Sequence, residues 1–121
     1  MDIIHANLTV ADIDRSVAFY TEQLGFEETK GFETGGTVHR FVAADNGVEL
    51  QLSEDEDDTA VDPGDELRHV AVEVEDVDAA FERIDHHGAA REPSGGHMGA
   101  RNAFIEDPDG YTIELVEWVE E

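Results

Sequence analysis

The sequence contains no cysteine, which excludes disulfides, zinc ribbons and thiol catalysis. Cations are almost as scarce: seven Lys and Arg, of which Lys30 is the single lysine, stand against 31 acidic residues, for a formal net charge of −24. Phosphate contacts need clustered Lys and Arg, so a nucleic-acid partner is excluded. An anionic membrane surface is excluded for the same reason, because there is no polybasic stretch for it to attract. Long apolar runs are missing too, and neither a membrane-spanning helix nor a signal segment fits. The expectation is a cytoplasmic protein of one domain, since 121 residues suffice for one compact core and not comfortably for two.

High net charge with modest hydrophobicity can mean disorder. Here 40% of the residues are hydrophobic and fall in periodic segments, which a disordered chain has no reason to keep. The carboxylate-rich surface reads as a halophilic adaptation to molar salt, where screening over about 3 Å suppresses self-repulsion.

The chain repeats itself. His5-Ala6-Asn7-Leu8-Thr9-Val10-Ala11-Asp12 aligns with His69-Val70-Ala71-Val72-Glu73-Val74-Glu75-Asp76 at a constant offset of 64. Ile4, Leu8 and Val10 share one face of the first segment, as Val70, Val72 and Val74 do in the second; a period of two marks a half-buried strand. Asp12 and Asp76, or the Asp two residues later in each case, cap a following helix. The first helix carries Ile13, Val17, Tyr20 and Leu24 on one stripe and stops near Gly25. The second carries Val77, Ala80, Phe81 and Ile84 and stops near Gly88.

Further strands follow at Val38–Ala43 and Val48–Leu52, and at Ala103–Ile105 and Tyr111–Trp118. The turn pairs Asn46-Gly47 and Asp109-Gly110 precede the last strand of each half. The half-modules span about 1–53 and 67–121, joined by an acidic, solvated linker over 54–66. Helices cover one face of the sheet and leave the other free.

Strand phase puts four metal-ligand-type residues on that free face. Each half has a His on its first strand, His5 and His69, and a Glu on its last, Glu49 and Glu114, separated by 44 and 45 residues. Imidazole with carboxylate suits a borderline divalent ion such as zinc, nickel, cobalt, manganese or iron. Taken one at a time, such residues are also ordinary on a strand; their agreement in type, phase and repeat offset is what points to metal. His86 and His87 end the second helix, where cations suit the dipole. His39 lies in a strand with no evident partner, and Phe19, Tyr20, Phe81, Phe104 and Trp118 read as core.

These residues resemble the vicinal oxygen chelate superfamily and, within it, bacterial-type glyoxalase I (lactoylglutathione lyase). The resemblance runs from His5 to Glu117 through Asp14-Arg15-Ser16-Val17-Ala18-Phe19-Tyr20, Leu24-Gly25-Phe26, Val48-Glu49-Leu50, Arg68-His69-Val70-Ala71 and Glu106-Asp107-Pro108-Asp109-Gly110-Tyr111-Thr112-Ile113-Glu114-Leu115. It implies an α+β fold of two β-α-β-β-β modules forming a cupped mixed sheet, a single glyoxalase-like domain over 1–121, and a homodimer. It also implies one divalent metal ion per site (nickel, zinc, cobalt or manganese), with His5, Glu49, His69 and Glu114 matching the ligand positions.

The implied reaction isomerises the hemithioacetal of a 2-oxoaldehyde and a thiol to a 2-hydroxyacyl thioester, with Glu49 or Glu114 as the catalytic base. Glutathione-using relatives have an Arg where this chain has Thr9, an amide where it has Ser53, and a Lys near the Gly95-Gly96 loop. Arg101, Asn102 and His97, in and beside the Gly-rich stretch, are the candidates for contacting a different thiol or substrate. The alternatives are another enzyme of the superfamily, an epimerase or thiol transferase, or a metal-free small-molecule-binding resistance protein.

Overall fold

The computed structural model describes residues 1–56, 61–64, 66–88, 90–97 (backbone only at 96 and 97) and 99–119. It divides into two units, Met1–Asp62 and Pro63–Glu121, with the same plan. In the first, β1 (His5–Thr9) leads into α1 (Ile13–Ala18), which continues as a π-helical turn, Phe19–Gln23. Strands β2 (Glu27–Thr34), β3 (Thr37–Ala43) and β4 (Glu49–Asp55) follow. In the second, β5 (Val70–Glu73) and α2 (Val77–Arg83) are followed by β6 (Arg91–His97), β7 (Ala100–Glu106) and β8 (Thr112–Trp118). The sheet orders are β1-β4-β3-β2 and β5-β8-β7-β6. β1–β4 and β5–β8 are parallel and the other pairs antiparallel, so each unit is a β-α-β-β-β module on a mixed sheet.

Both helices start in the same way. Asp12 and Asp76 have extended backbones, φ −141° and −140°, and each accepts at Oδ1 from the N–H three residues on, of Arg15 and Ala79, at 3.1 Å. A glutamate from the last strand takes a second unpaired donor: Glu54 Oε1 accepts from Ile13 N–H at 2.6 Å, and Glu117 Oε1 from Val77 N–H at 2.8 Å. Two of the four N–H groups that a helix leaves without intrahelical partners are thus satisfied in each half. β4 therefore runs two residues into the segment expected as linker, and Glu54 there is a helix cap. Residues 57–60 and 65 of that segment lie outside the described residues.

The core of each unit lies between helix and sheet. Val10, Val17, Tyr20, Val42, Leu50 and Leu52 are buried in the first, and Val77, Ile84, Ala103, Ile105, Ile113 and Leu115 in the second. Burying a side chain of this size contributes about 1.5–3 kcal/mol, so these faces dominate the packing energy. The expectation for Ile4 fails: it precedes β1 and is exposed. The π-helical turn ends at Leu24, and Gly25 takes φ +73°, as its place after the helix requires.

The second helix is shorter than its stripe suggests. Ile84 is extended (φ −78°, ψ 133°), so α2 ends at Arg83 and Gly88 is not its C-terminal glycine. Gly88 matters for another reason, because a Cβ there would collide with the Glu106 carboxylate. His86 does meet the helix end, through its Nε2 and the Phe81 carbonyl at 2.9 Å.

The stretch Gly95–Gly99 is less loop-like than its composition suggests. β6 extends through His97, with register shifts on either side of Ser94-Gly95. Phe19 and Tyr20 are core as expected, whereas Trp118 is 64% exposed and Phe104 is half-buried on the free face.

Asp107 is the fully buried acid of the Asp-Pro-Asp-Gly turn. Its Oδ1 accepts from the N–H groups of Asp109 at 2.9 Å and Tyr111 at 3.0 Å, and Gly110 takes φ +93°. The turn that delivers β8 is built around this one carboxylate.

Candidate functional site

In the first unit, β1 and β4 are in register at His5 and Glu49, so the two side chains leave adjacent strands on the same face. The His5 ring packs edge-on to Phe41, with centroids 5.6 Å apart, and among the described residues its nitrogens carry no hydrogen bond. The Glu49 side chain is 17% exposed; it accepts from the Thr29 hydroxyl and pairs with Lys30 Nζ at 3.1 Å. Those two hydrogen bonds, reinforced by the charges of Lys30 and His5, outweigh desolvation and hold the Glu49 carboxyl below the usual carboxylate range. The residue in register between β2 and Glu49 is Ala43, small enough for Thr29 and Lys30 to reach across. A register shift between Glu28 and Lys30 accompanies this reach.

In the second unit His69 directly precedes β5, and Glu114 lies opposite Ala71, two residues further along the same face. The pair makes direct contact: His69 Nε2 is 3.0 Å from Glu114 Oε1, and Asn102 Nδ2 donates to Glu114 Oε2 at 2.9 Å. The His69 ring is edge-on to Phe104, with centroids 5.8 Å apart.

Each half also carries residues on this face that the sequence pattern did not assign to it, at positions that are not in equivalent register: Phe104 lies opposite Glu114, whereas Ala43 lies opposite Glu49. Each half has a His edge-on to a Phe, a Glu on the neighbouring strand, and a cation over the Phe ring. Lys30 Nζ lies 4.4 Å from the Phe41 centroid, and Arg91 Cζ lies 4.4 Å from the Phe104 centroid. Phe41, Phe104, Lys30 and Arg91 carry no metal-ligand or turn pattern, so only their positions in the sheets reveal them. His39 also acquires partners, lying within hydrogen-bond distance of Ser53 Oγ (2.8 Å), Gln51 Nε2 (3.0 Å) and Thr34 Oγ1 (3.0 Å) and stacking on Phe32.

The three expected substrate-contacting residues separate. Asn102 lies on the free face beside Glu114, and Arg91 Nη2 donates to its Oδ1 at 3.1 Å. Arg101, the adjacent residue, points to the helix side, where Nη2 donates to both Asp78 oxygens at 2.9 and 3.1 Å. Its counterpart in the first unit is Arg40, paired with Glu28 and 3.6 Å from Asp14. In both units, then, a β-strand arginine is directed toward the aspartate two residues after the helix cap, Asp14 in the first and Asp78 in the second. His97 pairs with Ala100 through its backbone, and its side chain lies outside the described residues.

Asp76, Asp78 and Glu117 also bring carboxylate oxygens close together. All three are engaged by α2 or Arg101, as cap, ion-pair partner and N–H acceptor.

His69 Nε2 and Glu114 Oε1 lie at ion-pair distance, 3.0 Å, and imidazole with carboxylate is a donor pair that a borderline divalent ion would accept. Glu49 is held ionised, the state in which a carboxylate binds a cation. The second oxygen of Glu114 is fixed by Asn102, the kind of supporting contact that orients a ligand.

The chain is similar to known proteins over nearly its whole length. It is 32% identical over 125 residues to lactoylglutathione lyase of Salmonella typhimurium, with 97% of this chain and 93% of that protein covered. In structure it is similar to glyoxalase I from Zea mays, with a TM-score of 0.86, 27% identity and 98% of this chain covered; it spans 45% of that chain. It is also similar to TnmS3, an antibiotic binding protein from Streptomyces, with a TM-score of 0.74, 26% identity, and 98% and 96% of the two chains covered. Residues 2–115 match the family description Glyoxalase/Bleomycin resistance protein/Dioxygenase superfamily. With that match and a β-α-β-β-β module in each half, the chain belongs to the glyoxalase/bleomycin resistance protein/dioxygenase superfamily.

Proposed function

We propose that the protein is a metal-dependent lyase of the glyoxalase I kind. It would isomerise the hemithioacetal of a 2-oxoaldehyde and a small thiol to a 2-hydroxyacyl thioester. The observation that carries this reading is the His–Glu pair repeated on the free face of both sheets, with His69 Nε2 and Glu114 Oε1 at 3.0 Å. His5, Glu49, His69 and Glu114 are the residues that would hold one divalent ion, with nickel, zinc, cobalt and manganese all compatible with the donor set. When bound, the ion supplies Lewis-acid stabilisation of negative charge developing on the two neighbouring substrate oxygens.

The carboxylates move the proton. Isomerisation takes a proton from the carbon bearing sulfur and returns one to the adjacent carbon, with no net loss of atoms. Glu49 and Glu114 are the groups assigned to this transfer. Asn102 holds Glu114 Oε2 and so aims Oε1. Phe41 and Phe104 pack edge-on to His5 and His69, so each His–Glu pair has an aromatic neighbour within its own unit. On this reading the chain is one glyoxalase-like domain acting as a cytoplasmic homodimer on a small molecule.

The test is metal content and divalent-metal affinity in molar salt, with Glu49→Gln as the control, followed by turnover of methylglyoxal–thiol adducts. One ion per chain, weakened about tenfold or more by the substitution, together with turnover of at least one adduct, is the expected result. Absence of specific metal binding by folded protein would overturn the lyase reading. It would favour a ligand-holding role such as that of the antibiotic binding protein TnmS3.

A further inference from the structure

Glu49 and Glu114 are the last-strand glutamates of their two halves, yet they have different neighbours. In the second unit Glu114 has His69 at one oxygen and the neutral amide of Asn102 at the other, and the Arg91 guanidinium meets the far end of that amide, Oδ1, at 3.1 Å. In the first unit the cation meets the carboxylate itself. Lys30 Nζ donates to Glu49 Oε1 at 3.1 Å, and the Thr29 hydroxyl donates to Oε2. His5, although level with Glu49 across β1 and β4, shares no hydrogen bond with it among the described residues.

The backbone builds this contact. Glu28 faces Val42 and Lys30 faces the next residue of β3, Phe41, so Thr29 is the extra residue of a β-bulge. Consecutive strand residues ordinarily point to opposite faces; here the bulge turns Thr29 and Lys30 to one carboxylate. Lys30 Nζ also lies 4.4 Å from the centroid of the Phe41 ring, the ring that packs against His5. The ammonium thus has two partners, a carboxylate and an aromatic face, and the Lys30 side chain is 57% exposed. The hydrogen bonds from Thr29 and Lys30 hold the Glu49 carboxyl below the usual carboxylate range. Of the two donors, the ammonium is the one that repels an incoming cation.

We propose that Lys30 is a tethered counter-ion of Glu49 that gives way to a divalent ion, its ammonium then staying on the Phe41 ring. The inference rests on the metal-binding part of the reading above. Attraction to a carboxylate doubles with the charge of the cation, so a divalent ion gains by replacing the ammonium and a monovalent one does not. A lysine that only aimed Glu49 would have the opposite effect on metal affinity, and the sign of the change separates the two roles.

The experiment measures zinc affinity by calorimetry on the full chain in molar potassium chloride. Lys30→Met is expected to bind zinc about three- to tenfold more tightly than the unsubstituted protein. Lys30→Arg keeps the cation and does not tighten binding, and Arg83→Met, which removes one positive charge from α2, leaves the affinity unchanged. Thermal melts without zinc in the same salt establish that each variant is folded. Lys30 is the single lysine, so protein made with lysine isotopically labelled at Cε gives one resonance for it. That resonance is expected to shift on zinc addition and to saturate at the stoichiometry found by calorimetry.

Weaker zinc binding by Lys30→Met makes Lys30 a residue that orients Glu49 and overturns the proposal, as does unchanged affinity or a Lys30 resonance indifferent to bound zinc. The two readings fail separately. Tighter binding by Lys30→Met without turnover of any methylglyoxal–thiol adduct sinks the lyase reading alone. Turnover by metal-loaded protein whose zinc affinity does not rise in Lys30→Met sinks this one alone, and zinc bound by neither protein sinks both.

Discussion

Asn102 Nδ2 donates to Glu114 Oε2 at 2.9 Å while the other oxygen of the same carboxylate lies 3.0 Å from His69 Nε2. The amide thus fixes the plane of the carboxylate and leaves one oxygen directed to the histidine. Asn102→Leu is expected to weaken divalent-metal binding about 10- to 100-fold, the usual cost of losing a group that orients a ligand. Isothermal titration with the metal alone checks this, and unchanged affinity would show that Asn102 does not orient Glu114.

Arg101 lies one residue away on the opposite face, bound to Asp78. Its side chain is about one-third exposed, and exposed pairs contribute about 0–1 kcal/mol. Arg101→Ala should therefore lower stability by no more than about 1 kcal/mol and leave metal binding unaltered. A selective loss of turnover at unchanged stability would place Arg101 at the substrate.

Asp107 serves two backbone N–H donors from a fully buried position. Asp107→Ala leaves both without their acceptor and is expected to cost about 2–4 kcal/mol in denaturant unfolding. Asp107→Asn keeps an acceptor oxygen and should lose less. Because the turn positions β8, the same variant should also weaken metal binding through Glu114.

Glu28 is held below the usual carboxylate range, chiefly by its hydrogen bond to Arg40 and further by that cation's charge. A carboxyl with a lowered folded-state pKa stabilises the fold above its unfolded pKa of about 4.3 and loses that stabilisation as pH falls through the folded value. Both side chains are about one-third exposed, so screening limits the effect to about 1 kcal/mol or less. Stability measured from pH 6 down to pH 3 should fall more gently in Glu28→Gln than in the unsubstituted protein, and identical slopes would contradict the assignment.

A net charge of −24 on 121 residues opposes compaction wherever it is unscreened. Thermal melts should show the midpoint rising from dilute buffer to molar potassium chloride. A midpoint unchanged across that range would count against salt adaptation.

What could be read along the chain is what depends on neighbours a few residues away. The alternation around Leu8 and Val72 requires only the period of two of an extended backbone. The caps at Asp12 and Asp76 reach three residues forward, and Asn46-Gly47 and Asp109-Gly110 turn on their own φ angles. His5, Glu49, His69 and Glu114 were visible because strand phase places them on the free face of each sheet and the duplication displays the pattern twice. The tertiary structure decided what depends on pairing between strands. The β5–β8 register sets Glu114 two residues beyond His69 and lets them touch, while the β1–β4 register sets Glu49 level with His5 and opposite Ala43, open to Lys30. Arg101 and Asn102 are adjacent in sequence yet serve opposite faces, and Phe104 lies opposite Glu114 and edge-on to His69. Strand register, a bulge and the size of the residue across the sheet settle such matters, and none of these is a property of any local stretch of chain.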